Sequence, residues 1–160
     1  MNHLHPFDIH AQLANERRSI RSYLPTAVPD DLLLQVVQTA RLAPSGANLQ
    51  PGSFIAVRGE VRQRMCDELV QTWRQGGHEG EDYDYFPQPM PMTLRRRQVA
   101  SAQALYSALG IARDDKSGRD GQFERNFRFF DAPVALVVTI EHDFGSGGYM
   151  DLGMAIYGLM

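Results

Sequence analysis

Cysteine is almost absent from this chain of 160 residues. The single thiol, Cys66, excludes an intramolecular disulfide and suits a reducing compartment. Long apolar runs are missing as well, none approaching the roughly 20 residues that span a bilayer. Residues 1–6 hold no apolar segment of signal-peptide type, so no membrane partner is expected and the cytoplasm is the expected location. A surplus of charge is also lacking: 16 Lys and Arg against 19 Asp and Glu leave a net −3, which gives no ground for nucleic acid as a partner. His3, His5 and His10 lie close together, but no cysteine or acidic cluster stands at ligand spacing, and no metal site is assigned. No Ser/His/Asp or Cys/His set emerges, no catalytic side chain is assigned, and there is no repeat or low-complexity stretch.

What is present is an ordinary globular composition, 43% hydrophobic and 22% charged, enough for one domain over residues 1–160 with a real core. A first helix is predicted over 5–16, with Phe7, Ile9, Leu13 and Ala14 inward. A second over 29–42 opens on Pro29-Asp30-Asp31 and buries a stripe of Leu32, Leu33, Val36, Val37, Ala40 and Leu42. The short apolar run 53–57 reads as a buried strand, followed by a helix over 61–74 with Met65, Leu69 and Trp73 inward and Cys66 structural. Residues 76–91, rich in Gly, Pro and acidic side chains, read as a long loop whose Tyr83, Tyr85 and Phe86 either stack on a planar ligand or pin the loop down. A helix over 93–109 carries Arg95-Arg96-Arg97 on a solvated face. Residues 114–120 read as a charged loop, 122–130 as a short helix, and 132–140 as a central strand. A glycine-rich turn over 145–148 leads into an apolar helix that runs from Tyr149 to Met160 without a cap.

Two polar stretches stand out. Arg17-Arg18-Ser19-Ile20-Arg21-Ser22-Tyr23 places three arginines and two serines in six residues. Guanidinium forks match phosphate oxygens and a hydroxyl adds a donor, so the cluster suits the phosphate of a nucleotide-like cofactor; a solvated basic helix end is the plainer alternative. Ile20 and Tyr23 are expected to anchor it. Ala43-Pro44-Ser45-Gly46-Ala47-Asn48-Leu49-Gln50-Pro51-Gly52 joins a helix to a strand. Its prolines and glycines exclude a regular element, while Ser45, Asn48 and Gln50 can donate and accept hydrogen bonds beside free backbone N–H groups. It is either a connecting turn or a ligand-facing loop.

Taken in order, four stretches resemble the FMN-dependent nitroreductase family, and most closely its nitrobenzoate-reductase-like branch. They are Arg17-Arg18-Ser19-Ile20-Arg21, the Ala43 to Pro51 loop, Arg125-Asn126-Phe127-Arg128-Phe129-Phe130-Asp131-Ala132-Pro133, and Tyr149-Met150-Asp151-Leu152-Gly153-Met154. The resemblance implies an α+β fold, with a central mixed or antiparallel sheet flanked by helices, that dimerises and holds FMN between subunits. Carried over residue by residue, Arg17, Ser19 and Arg21 would meet the FMN phosphate and ribityl chain or the ring's pyrimidine edge, with Arg18 contributing. Pro44, Ser45, Asn48 and Gln50 would line the flavin site across the dimer interface. Asn126 would reach the pyrimidine edge, with Arg128 beside it. Gly52 stands where the family carries a tryptophan, implying a looser pocket, Tyr157-Gly158 replace an amide pair, and the family's C-terminal part has no counterpart here.

The activity so implied is transfer of hydride from NAD(P)H through FMN to a nitroaromatic, a quinone or a similar small electron-poor aromatic, the flavin carrying the chemistry. Two rivals stand beside it: another flavin reaction on the same fold, dehydrogenation or dehalogenation, and a non-catalytic flavin-binding or interaction protein.

Overall fold

A computed structural model of the protein describes residues 5–77, 80 and 83–160. His3 and four positions of the 76–91 stretch lie outside the described residues. The chain divides into two compact units, one formed by Met1–Arg62 with Ala132–Met160 and the other by Gln63–Asp131. The class is α+β, helices with a two-stranded antiparallel sheet. Among the described residues no helix is long and apolar enough to cross a membrane.

In the first unit, α1 (Pro6–Glu16) starts where His5 Nδ1 accepts the Phe7 N–H at 3.2 Å, with Pro6 in the first turn, where its missing donor does no harm. α2 (Asp30–Ala40) follows Pro29 and carries Asp30 and Asp31 at its positive end. β1 (Ser53–Arg58) pairs antiparallel with β2 (Val134–Thr139), from Ser53 opposite Thr139 to Arg58 opposite Val134. Arg58 reaches back from the end of β1 to the Asp30 carboxylate, Nη2 lying 3.1 Å from Oδ2. α6 (Ser146–Leu159) packs on α2. Their approach favours a glycine, because a Cβ on Gly158 would lie a tight 3.3 Å from the Ala40 Cα, and Ala40 is wholly buried.

Burial is sparser than the sequence pattern predicts. Phe7, Ile9, Leu13 and Ala14 are all exposed, and in the α2 stripe Ala40 is buried, Leu33, Val36 and Val37 are half-buried, while Leu32 and Leu42 are exposed. The reason is geometric: among the described residues α2 packs chiefly against α6, and Leu42 lies beyond its end. β1 is not the buried strand its composition suggests, nor is β2 interior to a wider sheet. Among the described residues the sheet has two strands, which leaves each with an unpaired edge, and of their twelve residues only Ala135 is buried.

Most of α3 (Gly59–Arg74), all of α4 (Met92–Ala108) and α5 (Lys116–Glu124) belong to the second unit. Residues 116–120 are helical rather than a loop. Asp115 accepts the Gly118 N–H at 2.8 Å and caps a segment whose two glycines disguise it. The predicted helix over 122–130 is likewise replaced by the end of α5 and a 3₁₀ stretch, Arg125–Asp131, in which Phe129, Phe130 and Asp131 take positive φ. Trp73, Phe123 and Phe127 form a ring triangle with centroids 5.6 to 5.9 Å apart. Glu124, 8% exposed, accepts from Arg74 Nε at 2.7 Å and has Arg128 at 3.9 Å. Cys66 is buried, and Tyr83, Tyr85 and Phe86 are exposed. In the first unit, α6 begins at Ser146, so the predicted 145–148 turn contributes only Gly145 as its cap.

Candidate functional site

α2 ends at Ala40, and Pro44 prevents its continuation. The backbone then takes a shape that few side chains favour. Ala47, Asn48 and Gln50 have φ of 48°, 57° and 51°, and Gly52 has 97°. Asparagine tolerates that region, but alanine and glutamine are held there at a cost of about 1–3 kcal/mol each. Such strain persists only where the surroundings over-determine it, which is a feature of functional loops.

Gln50 supplies much of that determination. Its N–H donates to Ser45 Oγ at 2.9 Å, and its side-chain Nε2 lies 3.0 Å from the Ala43 carbonyl, 3.1 Å from Asn48 Oδ1 and 3.3 Å from Ser45 Oγ. Half-buried, it is a hub of the loop rather than an outward-facing contact. The consequence for its neighbours is chemical. Ser45 Oγ accepts two bonds from Gln50 and Asn48 Oδ1 accepts one, so the Ser45 hydroxyl hydrogen and the Asn48 amide hydrogens remain for a ligand, with one acceptor site left on Asn48 Oδ1. The loop thus offers donors, suited to the carbonyl oxygens and ring nitrogens of a planar heterocycle. Pro44 and Asn48 are exposed, and exposed Leu42 and Leu49 flank them.

α6 touches the loop at two points that the sequence pattern did not assign. Asp151 Oδ2 accepts the Gly46 N–H at 2.9 Å. A Cβ on Gly52 would lie 2.6 Å from Leu152 Cδ1 and 3.0 Å from the Thr139 carbonyl. The missing tryptophan therefore does not leave slack at this position: Leu152 and β2 close on the backbone, and only glycine fits. A hollow of about 470 Å³ lies beside it, lined by Leu49–Ser53 and by residues around Glu141 and Phe144.

The arginine segment follows α1 and has no regular structure. Arg18 Nη1 donates to the Arg17 carbonyl at 2.9 Å and to that of Asn15, and Arg21 Nη1 donates to the Ser19 carbonyl at 3.2 Å. Among the described residues, Arg17, Arg18 and Arg21 take part in no ion pair. All three and Ser19 are exposed. Ile20 and Tyr23, expected as anchors, are 51% and 46% exposed. Arg17 borders a hollow of about 610 Å³ together with His10, Tyr157 and Gly158. No hydrogen bond joins this segment to the Ser45–Gln50 loop among the described residues. The two meet α6 at different heights, the loop at Asp151 and Leu152 and Arg17's hollow at Tyr157 and Gly158. Six residues separate those heights, about 9 Å of helix.

Asn126 belongs to the second unit and is exposed on the 3₁₀ stretch, where its Nδ2 donates to the Phe123 carbonyl at 2.7 Å. Arg128 lies 3.6 Å from Asp131 as well as near Glu124, so its charge is committed to carboxylates of its own unit.

Comparison with known proteins sets these residues in context. The Nitroreductase family matches residues 14–160. The chain is 33% identical over 150 residues to a chloronitrobenzene nitroreductase of Comamonas testosteroni, covering 92% of this chain and 66% of that protein. It is 31% identical over 144 residues to a 4-nitrobenzoate reductase of Pseudomonas putida, covering 90% and 63%. It thus spans just under two thirds of the length of these relatives. Among solved structures, the FMN and NADPH-dependent nitroreductase NfnB of Sphigopyxis sp. strain HMH matches with a TM-score of 0.86 at 36% identity, over 94% of this chain and 68% of that one. The FMN-dependent NfnB of Mycobacterium smegmatis, solved in complex with NADPH, matches at 0.88 and 27% identity, over 96% and 68%.

Proposed function

The chain belongs to the nitroreductase family, and we propose on that footing that it is an FMN-dependent oxidoreductase that uses NADPH or NADH to reduce a small electron-poor aromatic, a nitroaromatic or a quinone. The observation that carries the reading is the Ser45–Gln50 loop, held in a strained shape with Asn48 exposed, beside a segment whose Arg17, Arg18 and Arg21 take part in no ion pair among the described residues.

The residues present fit an FMN. The guanidinium groups of Arg17 and Arg21, which among the described residues pair with no carboxylate, suit a phosphate dianion and the ribityl hydroxyls, with the Ser19 hydroxyl and Arg18 alongside. Ser45 and Asn48 offer donors to an acceptor-rich ring edge, Pro44 presents an apolar surface, and Gln50 keeps the two donors in place. Asn126 is a further candidate for the pyrimidine edge. When bound, the flavin supplies hydride transfer in both directions. The protein then has no nucleophile to provide; its residues bind and orient the ring and leave an apolar shelf for the acceptor.

A homodimer completes this reading. Among the described residues no hydrogen bond links the arginine segment to the loop, and exposed apolar side chains lie in and next to the loop and on α6: Leu49 at 64%, Leu42 at 83% and Met150 at 69%. Covering them with a second copy would bury that surface and bring one subunit's loop to the other's phosphate site. Cytoplasmic residence belongs to the same proposal.

Absorbance spectroscopy tests it. Protein purified with added FMN is expected to retain a flavin band that bleaches with NADPH under nitrogen and recovers on adding a nitroaromatic. Absence of retained flavin would overturn the cofactor assignment; flavin that stays bound but does not bleach would overturn the reductase assignment.

A further inference from the structure

We propose that Asp151 is a positioning residue that sets the shape of the 43–52 loop and, through it, the donors of Ser45 and Asn48; the ligand-binding consequence rests on the flavin reading above. Asp151 and Leu152 are consecutive on the buried side of α6, and between them they engage both ends of the loop. At one end Asp151 Oδ2 accepts the Gly46 N–H at 2.9 Å, and at the other the Leu152 side chain occupies the space a Cβ on Gly52 would need.

Three features distinguish this contact from an ordinary turn. The partners are 105 residues apart, so it is a tertiary tether and not local turn chemistry. It is charge-assisted, a carboxylate accepting a peptide N–H, and therefore stronger than the neutral bonds made by Gln50. It also grips the residue immediately before Ala47 and Asn48, the point at which the chain enters the positive-φ region. Packing does little of this work, because Pro51 alone of the ten loop residues is buried. Among the described residues no other hydrogen bond from outside the loop reaches the Gly46 N–H, so removing Asp151 lets the strained conformers at Ala47 and Asn48 relax. Asn48, two residues on, would then lose its direction.

The test compares Asp151→Ala with Asp151→Asn in the full chain by two measurements. Hydrogen exchange at the Gly46 amide, followed by NMR without ligand, reports the tether itself. Titration with FMN reports its consequence. Asp151→Ala is expected to speed Gly46 exchange and to weaken FMN binding by about tenfold each. Asp151→Asn keeps an acceptor oxygen in place and is expected to restore both to within about twofold of the parent. Unchanged exchange in Asp151→Ala, or Asp151→Asn as impaired as Asp151→Ala, would overturn the proposal. Should Asp151→Ala fail to fold, Asp151→Glu, which displaces the carboxylate by one methylene, takes its place with the same two outcomes. If the parent protein binds no FMN, the flavin reading falls, and the exchange comparison alone still decides whether Asp151 holds the loop.

Discussion

Within residues 43–52, four polar contacts converge on Gln50 and a fifth ties Gly46 to α6, whereas within residues 17–23 the arginine contacts seen among the described residues go to carbonyl oxygens of nearby residues. Both stretches belong to the same unit, both are rich in donors, and both are largely exposed. They differ in what sets their geometry. The loop is shaped before any ligand arrives, so its donors hold fixed directions and little ordering remains for binding. The arginine segment has charge but no scaffold of its own. Its side chains can adjust to an anion, with affinity arising from electrostatics and bidentate geometry rather than preorganisation. Substitutions should therefore act on stability and binding together in the loop, and on binding alone in the segment.

The largest effect is expected at Gln50. Gln50→Ala removes the Nε2 contacts with the Ala43 carbonyl, Asn48 and Ser45 while leaving the backbone at positive φ. A loss of about 2–4 kcal/mol in unfolding free energy is expected, measured by urea denaturation, together with loss of FMN binding. Gln50→Gly sharpens the point, since it relieves the backbone strain but not the missing contacts. It should be more stable than Gln50→Ala by about 1 kcal/mol and equally poor at binding. Gly52→Ala comes next, at about 1–3 kcal/mol, because the new methyl meets Leu152 and the Thr139 carbonyl at a φ of 97°. Adding Leu152→Ala removes one obstacle but not the backbone conflict, so the double variant should remain less stable than Leu152→Ala alone.

The legible parts of this molecule were those with local causes. Helix starts at Pro6 and Asp30, the two strands and the polar loop follow from periodicity and punctuation, whereas the antiparallel pairing of the strands does not. α5 was hidden because Gly118 and Gly121 lower its propensity while the compensating cap, Asp115, is a single residue. In the site, residue types pointed to Ser45, Asn48 and the arginines, but not to the inward role of Gln50 or to Asp151. Those are tertiary facts: Asp151 meets Gly46 across 105 residues, and no spacing rule spans that distance. Burial was misjudged for the same reason. Apolar periodicity shows which face of α1 or α2 would be covered, not whether a partner element is there to cover it.

Arg17→Ala and Arg21→Ala test the other side of the comparison. Both side chains are exposed and, among the described residues, take part in no ion pair, so stability should change by less than about 0.5 kcal/mol. FMN affinity should fall by about tenfold in each, with a binding constant that depends less on salt than the parent's. A comparable loss of stability would show that the segment is built as the loop is, and would remove the distinction drawn here.

The smallest effect is expected at the Asp30–Arg58 pair, which joins the start of α2 to the end of β1, the elements on either side of the loop. The Arg58 guanidinium holds the Asp30 carboxyl below its ordinary value of 3.8, first through the hydrogen bond and then through its charge, and Arg58 is raised in return. Because the folded-state value is the lower one, the pair's contribution is fully present above about pH 4 and is lost as pH falls through the native value. Both side chains are more than half exposed, so salt should screen the effect. Asp30→Asn is therefore expected to be slightly less stable than the parent at neutral pH and low salt, with the two curves converging in acid below 3.8 and in high salt. Since the pair ties the loop's flanking elements and touches no loop residue, FMN affinity should be the same in both proteins at pH 7. A loss of affinity in Asp30→Asn would mean that the loop's shape depends on the frame around it as well as on Gln50 and α6.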